Sequence, residues 1–151
     1  MFIDIARSRH SCRSYTEEPL SDEQVRLIME AGELAPSSRD LHPVRLIPVS
    51  DIPTIRRLAG CKDHGAEPLR GATFAVVVAA DEGKADTWLE DASIASIMMQ
   101  LEAEDLGIGS CWIQIRLRSL GDRPAEDVVR EIMGLEDGTR VLSVISFGRK
   151  A

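Results

Sequence analysis

An uninterrupted apolar run near the middle of the chain limits the fold more than any other feature. Thr73–Ala80 reads TFAVVVAA, and a charged residue, Asp81, follows it directly. A strand with one face in water would alternate apolar and polar side chains, whereas a continuous run of this length is typical of a strand covered on both faces. We therefore predict that Thr73–Ala80 is the central strand of a sheet.

Four segments have the spacing of helices. The clearest is Ser21–Leu34, where Ser21 and Gln24 form a capping box and apolar residues then recur near helical spacing. It ends at Ala35-Pro36-Ser37-Ser38, because a residue before proline is biased out of the helical region and serines favour turns. The other predicted helices are Asp51–Ala59, Thr87–Leu106 and Pro124–Met133.

Three further segments are predicted strands: Val44–Val49, Ser110–Ile115 and Arg140–Phe147. Pro48 has no backbone donor, so Val44–Val49 is expected at the edge of the sheet. Helices and strands are intermixed, which predicts an α+β or α/β sandwich. The 151 residues contain no repeat, low-complexity tract or linker-like composition, so we expect residues 1–151 to form one domain.

Charge and composition argue against several classes of function. The net charge is −7, so the averaged field repels polyanions, and neither nucleic acid nor an acidic membrane is an expected partner. No stretch approaches the roughly 20 apolar residues of a membrane span, and we expect a cytoplasmic protein. The three cysteines suit neither a disulfide framework nor a zinc site, and the three histidines lack metal-ligand spacing. We therefore expect buried thiols and no bound metal.

The densest functional signal is a basic segment near the N-terminus. Arg7–Arg13 (RSRHSCR) contains three arginines, and no carboxylate lies between Asp4 and Glu17. Guanidinium groups bind phosphate through paired hydrogen bonds and serine hydroxyls add donors, so this loop could hold a terminal phosphate without a glycine-rich turn. A solvated basic patch is the alternative interpretation of the same residues.

Three motifs resemble those of the nitroreductase-like family of flavoproteins, which bind flavin mononucleotide (FMN). Arg9–Tyr15 (RHSCRSY) is similar to the family's opening R-[RH]-S-x-[RK]-x-[FY], and Ala35–Pro43 (APSSRDLHP) is similar to its A-P-S-x-x-N-x-Q-P block. Asp91-Ala92-Ser93 within a long helix, followed by Leu106–Ile113 (LGIGSCWI), resembles a third signature. The three motifs occur in the family's order and span most of the chain.

The resemblance implies both a fold and a set of cofactor contacts. The implied fold is a three-layer α/β/α sandwich of the α+β class with a mixed, mainly antiparallel sheet, assembled as a homodimer with FMN at the interface. Arg9, His10 and Ser11 would hold the phosphate and ribityl chain, and Arg13 would lie beside the pyrimidine end of the flavin. Two other groups complete the implied contacts: a turn that packs on the flavin of the other subunit, formed by Pro36, Ser37, Ser38 and Asp40, and a backbone donor to flavin N5, formed by Gln114 and Ile115.

The activity that the resemblance implies is oxidoreduction. Such an enzyme takes hydride from NADH or NADPH, holds it on flavin N5 and passes it to an electron-poor acceptor, a nitroaromatic or quinone, in a ping-pong cycle. No side chain needs to act as an acid or base, and Arg13 would tune the flavin. Two alternatives are a flavin-binding redox sensor or carrier with little turnover, and a domain that binds another phosphate compound through Arg9, Ser11 and Arg13.

Two positions depart from the family pattern. Asp40 stands where the family usually has asparagine, and His42 stands where it usually has glutamine. A buried, unpaired carboxylate would be costly, so we expect Asp40 either to meet Arg39 or Arg45 or to face solvent. The chain also ends at Ala151, where many relatives continue into a tail that contacts the neighbouring subunit, and we expect its absence to weaken FMN binding or the dimer.

Overall fold

A computed structural model describes residues 1–151, and its helices and strands alternate along most of the chain. The five helices are α1 (Phe2–Ser8), α2 (Asp22–Glu33), α3 (Ile52–Leu58), α4 (Trp88–Asp105) and α5 (Ala125–Met133). The six strands are β1 (Val44–Val49), β2 (Phe74–Ala80), β3 (Ile108–Gln114), β4 (Ser119–Leu120), β5 (Arg123–Pro124) and β6 (Arg140–Arg149). Short 3₁₀ turns cover Ser38–Asp40 and Glu67–Arg70.

Four strands form the main sheet in the order β1-β2-β6-β3, and every neighbouring pair is antiparallel. All seven residues of β2 are buried, so the prediction of a central strand covered on both faces is confirmed. β1 lies at one edge with Pro48 exposed, as its missing backbone donor requires. β3 forms the opposite edge, and β4 and β5 form a separate small hairpin.

Helices cover both faces of the sheet and give a three-layer α/β/α sandwich. One apolar cluster contains Ile28 of α2 and Met99 of α4 against Val76 and Val78 of β2. The other contains residues of α3 and α5, among them Leu58 and Val129, against the opposite face. The layer arrangement that the sequence motifs implied is therefore confirmed. None of the helices combines the length and apolar character that crossing a bilayer requires.

The N-terminal segment differs from the prediction. Residues 7–13 were expected to form a loop, yet α1 continues through Ser8 and the extended segment begins at Arg9. α1 has only seven residues, buries none of them and exposes Phe2 and Ile3, and so short a segment falls below the length over which helical spacing is read. The expectation of buried thiols is confirmed, because Cys12, Cys61 and Cys111 are all buried and unpaired.

Candidate cofactor site

Backbone hydrogen bonds fix the segment after α1 along the β3 edge of the sheet. Ser11 forms an isolated parallel bridge with Ser110 of β3, and the Cys12 N–H donates to the Ser110 carbonyl at 2.8 Å. Further along, Tyr15 bridges to Lys150, which follows β6. Residues 9–13 therefore lie beside β3 at a fixed register.

Two glycines of the sheet make this close approach possible. A Cβ atom at Gly109 would lie 2.6 Å from the Cys12 Sγ, and one at Gly148 would lie 2.7 Å from the ring of Tyr15. The Tyr15 hydroxyl donates to the Cys12 carbonyl at 2.7 Å and lies 2.8 Å from the Ser146 Oγ. Burial raises the pKa of Tyr15 well above its ordinary value, so its hydroxyl stays protonated and holds the segment in place.

The basic side chains of this segment are largely free of carboxylates. Arg7 lies 3.8 Å from Asp4 within α1, whereas neither Arg9 nor Arg13 takes part in an ion pair. Arg9 is half-buried, and Arg13 donates only a long hydrogen bond, 3.4 Å, to the Ser11 carbonyl. Two guanidinium groups on an acidic protein are thus available to bind an anion.

Backbone alternation decides which residues of β3 face outward from its free edge. The carbonyls of Ser110 and Gln114 accept hydrogen bonds from outside the sheet, from the Cys12 N–H and from Lys62 Nζ at 2.7 Å. In an antiparallel strand the N–H and C=O of one residue point the same way, so the Gln114 N–H also points outward. The Ile115 N–H points inward and donates to the Leu142 carbonyl at 3.0 Å.

This geometry corrects the prediction for Ile115. Its side chain is fully buried and its backbone donor is already used, so Ile115 cannot present that donor to a ligand. Gln114 presents its main chain, because its side chain is held by Trp112 and Arg116: Trp112 Nε1 donates to Gln114 Oε1, and Gln114 Nε2 donates to the Arg116 carbonyl, each at 2.9 Å.

The second predicted group, the turn from Pro36 to His42, lies at the β1 edge. A buried carboxylate anchors it: Asp91 of α4 is only 4% exposed, and its Oδ1 accepts from the Ser38 N–H at 3.1 Å. The Oδ2 of Asp91 accepts from the Thr87 hydroxyl at 3.0 Å. Ser37 also contributes, because its Oγ accepts from the His42 N–H at 3.0 Å.

The turn has an unusual backbone. Arg39, Asp40 and His42 have φ values of 53°, 55° and 48°, a left-handed region that few residues other than glycine adopt without cost. Asp40 is largely exposed, and its Oδ1 lies 2.6 Å from His42 Nε2. The expectation that Asp40 would face solvent is confirmed. Its partner is His42 rather than Arg39, which instead contacts Asp86 at 4.0 Å.

The two predicted groups are separated within one chain. Residues 9–13 lie beside β3 and Gln114 is its last residue, whereas the turn precedes β1 at the opposite edge. Three strand spacings separate β1 from β3, or about 14 Å. α4 crosses this span, with Asp91 beside the turn and Gln100, whose Nε2 lies 3.2 Å from the Ser110 Oγ, beside β3.

Several residues near the site were not among the predicted contacts. Asp91 belongs to a quoted motif, but only the fold shows that it holds the turn. Lys62 follows a helix in a stretch of mixed charge, and no pattern in the sequence indicates that its Nζ reaches the Gln114 carbonyl. No three His, Cys, Asp or Glu side chains are gathered so that they could hold a metal ion.

Comparison with known proteins gives consistent matches. The nitroreductase family model matches residues 6–64 and 56–149. A protein of Archaeoglobus fulgidus named "Putative NADH dehydrogenase/NAD(P)H nitroreductase" is 34% identical over 148 residues, which cover 93% of this chain and 80% of that protein.

Solved structures show the same likeness in three dimensions. An FMN-dependent nitroreductase from Clostridium difficile R20291 superposes with a TM-score of 0.96 at 37% identity, covering 98% of this chain and 87% of that one. A "putative nitroreductase in complex with FMN" from Desulfovibrio desulfuricans has a TM-score of 0.83 at 27% identity, covering 99% and 86%. Together with the family model, which spans most of the residues, these matches show that the chain belongs to the nitroreductase family.

Proposed function

We propose that this protein is an FMN-dependent oxidoreductase that transfers hydride from NADH or NADPH to an electron-poor acceptor, a nitroaromatic or a quinone, in a ping-pong cycle. The observation that supports the proposal is that the candidate site is divided. The residues that we propose to bind the phosphate and N5 lie at the β3 edge, and the turn that we propose to cover the flavin ring lies at the β1 edge. A site divided in this way is complete only when a second copy brings its β1 edge to the β3 edge of the first.

An exposed apolar surface supports this assembly as a homodimer. α4 packs on the sheet with one side, yet Ile94 and Ile97 on its other side are 39% and 38% exposed. Leu34, which ends α2 just before the turn, is 69% exposed, and Phe2 of α1 is 65% exposed. Exposed large apolar side chains are typical of a surface that another subunit covers.

The residues at the β3 edge fit FMN. Arg9 and the Ser11 hydroxyl would bind the phosphate and the adjoining ribityl chain, with His10 beside them, because Arg9 has no competing carboxylate. Arg13 would place its cation near the pyrimidine end of the flavin, and the outward N–H of Gln114 would donate to N5. When bound, FMN supplies hydride transfer at its N5 atom.

The roles of the protein residues are then positioning and electrostatics. The Arg13 cation would stabilise negative charge that collects on the reduced ring. Pro36, Ser37 and Ser38 on the turn of the second copy, held by a buried Asp91, would form one wall of a slot in which each substrate stacks in turn. No acid or base is required among the side chains for this cycle.

The test combines assembly, colour and turnover. We expect the purified protein to be a dimer, to be yellow or to become yellow with FMN, and to bleach when NADPH is added without oxygen. Adding a quinone should then restore the colour. A yellow protein that does not bleach with either nucleotide would indicate the sensor or carrier alternative, and a monomer that gains no colour with FMN would refute the proposal.

A further inference from the structure

Lys62 is a buried cation with no carboxylate partner. Lys62 is 9% exposed, and its side chain takes part in none of the ion pairs of the chain. Its only hydrogen bond runs from Nζ to the Gln114 carbonyl at 2.7 Å. An ammonium group has three donors, and burial disfavours its charged form, which lowers the pKa of Lys62 below its ordinary value.

The surroundings of Lys62 form a small cationic cavity. Its volume is about 290 Å³, and it is lined by Lys62, Asp63, His64, Leu117, Arg118 and Ser119. The Arg118 side chain donates to the Leu117 carbonyl at 3.2 Å and, like Lys62, has no carboxylate partner. The one lining carboxylate, Asp63, accepts from the Gly121 N–H at 3.0 Å, so part of its charge is already engaged by the backbone.

The cavity adjoins the proposed flavin site through Gln114. The carbonyl of Gln114 binds Lys62, and its N–H points out of the same edge of β3. Arg13 and Lys62 are also both close enough to Cys111 to lower the pKa of this thiol, which burial raises. A molecule lying against the β3 edge would therefore have the cavity within reach of its periphery.

We propose that this cavity, which we call the Lys62 subsite, binds a carboxylate or phosphate group carried by a substrate of the enzyme. The inference rests on the proposed function for the identity of the molecule, which is either the acceptor or the nicotinamide dinucleotide. An oxyanion would satisfy the two remaining donors of Lys62 and the guanidinium of Arg118. The compact ammonium group gives charge attraction, and the planar guanidinium gives paired hydrogen bonds.

The test uses substrate pairs that differ in one anionic group. We expect Lys62→Met to raise the KM of para-nitrobenzoate, or of NADPH relative to NADH, by roughly ten-fold or more, which is the loss of a charge-assisted hydrogen bond. The first result assigns the subsite to the acceptor, and the second assigns it to the dinucleotide. The KM of the neutral para-nitrobenzamide should stay the same in either case.

Two further variants protect the test against indirect effects. Arg118→Gln changes an exposed side chain and should raise the same KM to a smaller extent, whereas Lys84→Met removes an exposed lysine elsewhere and should change neither. Equal changes for charged and neutral substrates in Lys62→Met, or none, would overturn the subsite.

A direct binding measurement separates this inference from the proposed function. Inorganic phosphate titrated into the wild-type protein should shift the ring resonances of His64 in a saturable way, and Lys62→Met should abolish the shift. If the wild type shows the shift but no reduction by NADPH, the subsite stands and the proposed function fails. If reduction occurs but the shift and the KM differences are both missing, the subsite fails alone.

Discussion

Arg9 and Arg13 are cations that bind no carboxylate of their own chain. Arg26, Arg130 and Arg140 each bind at least one carboxylate, whereas Arg9 and Arg13 bind none. In a protein with 25 acidic residues and 18 lysines and arginines, an unpaired guanidinium beside a fixed backbone is available to a ligand. We therefore expect Arg9 to provide much of the affinity of the proposed phosphate contact, and Arg13 to act on the flavin ring.

We predict that Arg9→Ala weakens FMN binding by about 1.5–3 kcal/mol, the contribution of a charge-assisted hydrogen bond. Titration of the FMN-free protein with FMN, followed by flavin fluorescence, measures the change. Arg7→Ala is the matched control, because Arg7 lies in α1 beside Asp4 and should leave the affinity the same. An unchanged affinity in Arg9→Ala would remove Arg9 from the site.

Local sequence patterns predicted most helices and strands well. Tertiary contacts decided which of their backbone groups and side chains meet at the candidate site. The capping box of α2 is present, with Gln24 N–H bonded to the Ser21 Oγ and Ser21 N–H bonded to Gln24 Oε1. Which backbone groups of β3 face outward depends on its register with β6, and local sequence does not contain that register. For that reason Gln114 and Ile115 could be located on one strand but not told apart.

Contacts that join distant elements were likewise beyond local patterns. Ser38 and Asp91 are 53 residues apart, and Lys62 and Gln114 are 52 apart. The motifs indicated that these segments matter, but the hydrogen bond that fixes the turn exists only because α4 crosses the sheet. A helix of seven residues such as α1 is shorter than the window in which helical periodicity can be recognised.

Asp91 gives a prediction for the turn. Asp91→Ala leaves the Ser38 N–H and the Thr87 hydroxyl without their acceptor, and we expect it to lower the free energy of unfolding by about 1–3 kcal/mol. Chemical denaturation followed by circular dichroism measures this loss. Asp91→Asn keeps one acceptor oxygen and should lose less, and Glu90→Ala, on an exposed position of the same helix, should lose little. Equal stability of Asp91→Ala and wild type would show that the buried carboxylate does not hold the turn.

The contact between α4 and the C-terminal segment gives a pH-dependent prediction. Glu104 is partly buried, which opposes its ionisation, but its hydrogen bond from Lys150 at 2.9 Å and nearby cations outweigh burial and lower its pKa. The ionised carboxylate therefore stabilises the fold above about pH 4.5, and this contribution is lost as the pH falls through the lowered pKa. We expect Glu104→Gln to lower the unfolding free energy at neutral pH by about 1–2 kcal/mol, and the difference to shrink below that pH.

Glu102 provides a control of opposite sign on the same helix. Burial and the nearby Asp105 and Glu30 raise its pKa, so ionised Glu102 costs stability at neutral pH. Glu102→Gln should accordingly leave stability the same or increase it. Urea denaturation of both variants between about pH 4, which is near the ordinary pKa of a carboxyl group, and about pH 7 distinguishes the two effects on stability. Destabilisation by both variants to the same extent would contradict the assignment.

Two features of the sandwich are not explained within one chain: the separation of the proposed site residues and the exposed apolar side of α4. The proposed cofactor contacts lie at opposite edges of one sheet, and these edges are about 14 Å apart. Its longest helix is apolar on more than the side that the sheet covers, with Met99 buried beneath and Ile97 exposed above. The proposed homodimer would account for both features if it paired the exposed side of α4 with a second copy, because that would cover the apolar surface and could bring unlike edges together.

Ile97 is remote from the proposed flavin contacts, so a substitution there tests assembly by itself. Ile97→Asp places a carboxylate on the exposed side of α4, where burial against a second copy would be costly, and we expect the dimer dissociation constant to rise roughly 100-fold or more. Because Ile97 is already 38% exposed in the single chain, the monomer should keep its fold. FMN binding should be lost together with the dimer, as light scattering and flavin absorption measured on one sample can show. Ile52→Asp, an equally exposed position on α3 in the opposite layer, should keep both properties, and a monomeric Ile97→Asp protein that still bound FMN tightly would refute a site built from two copies.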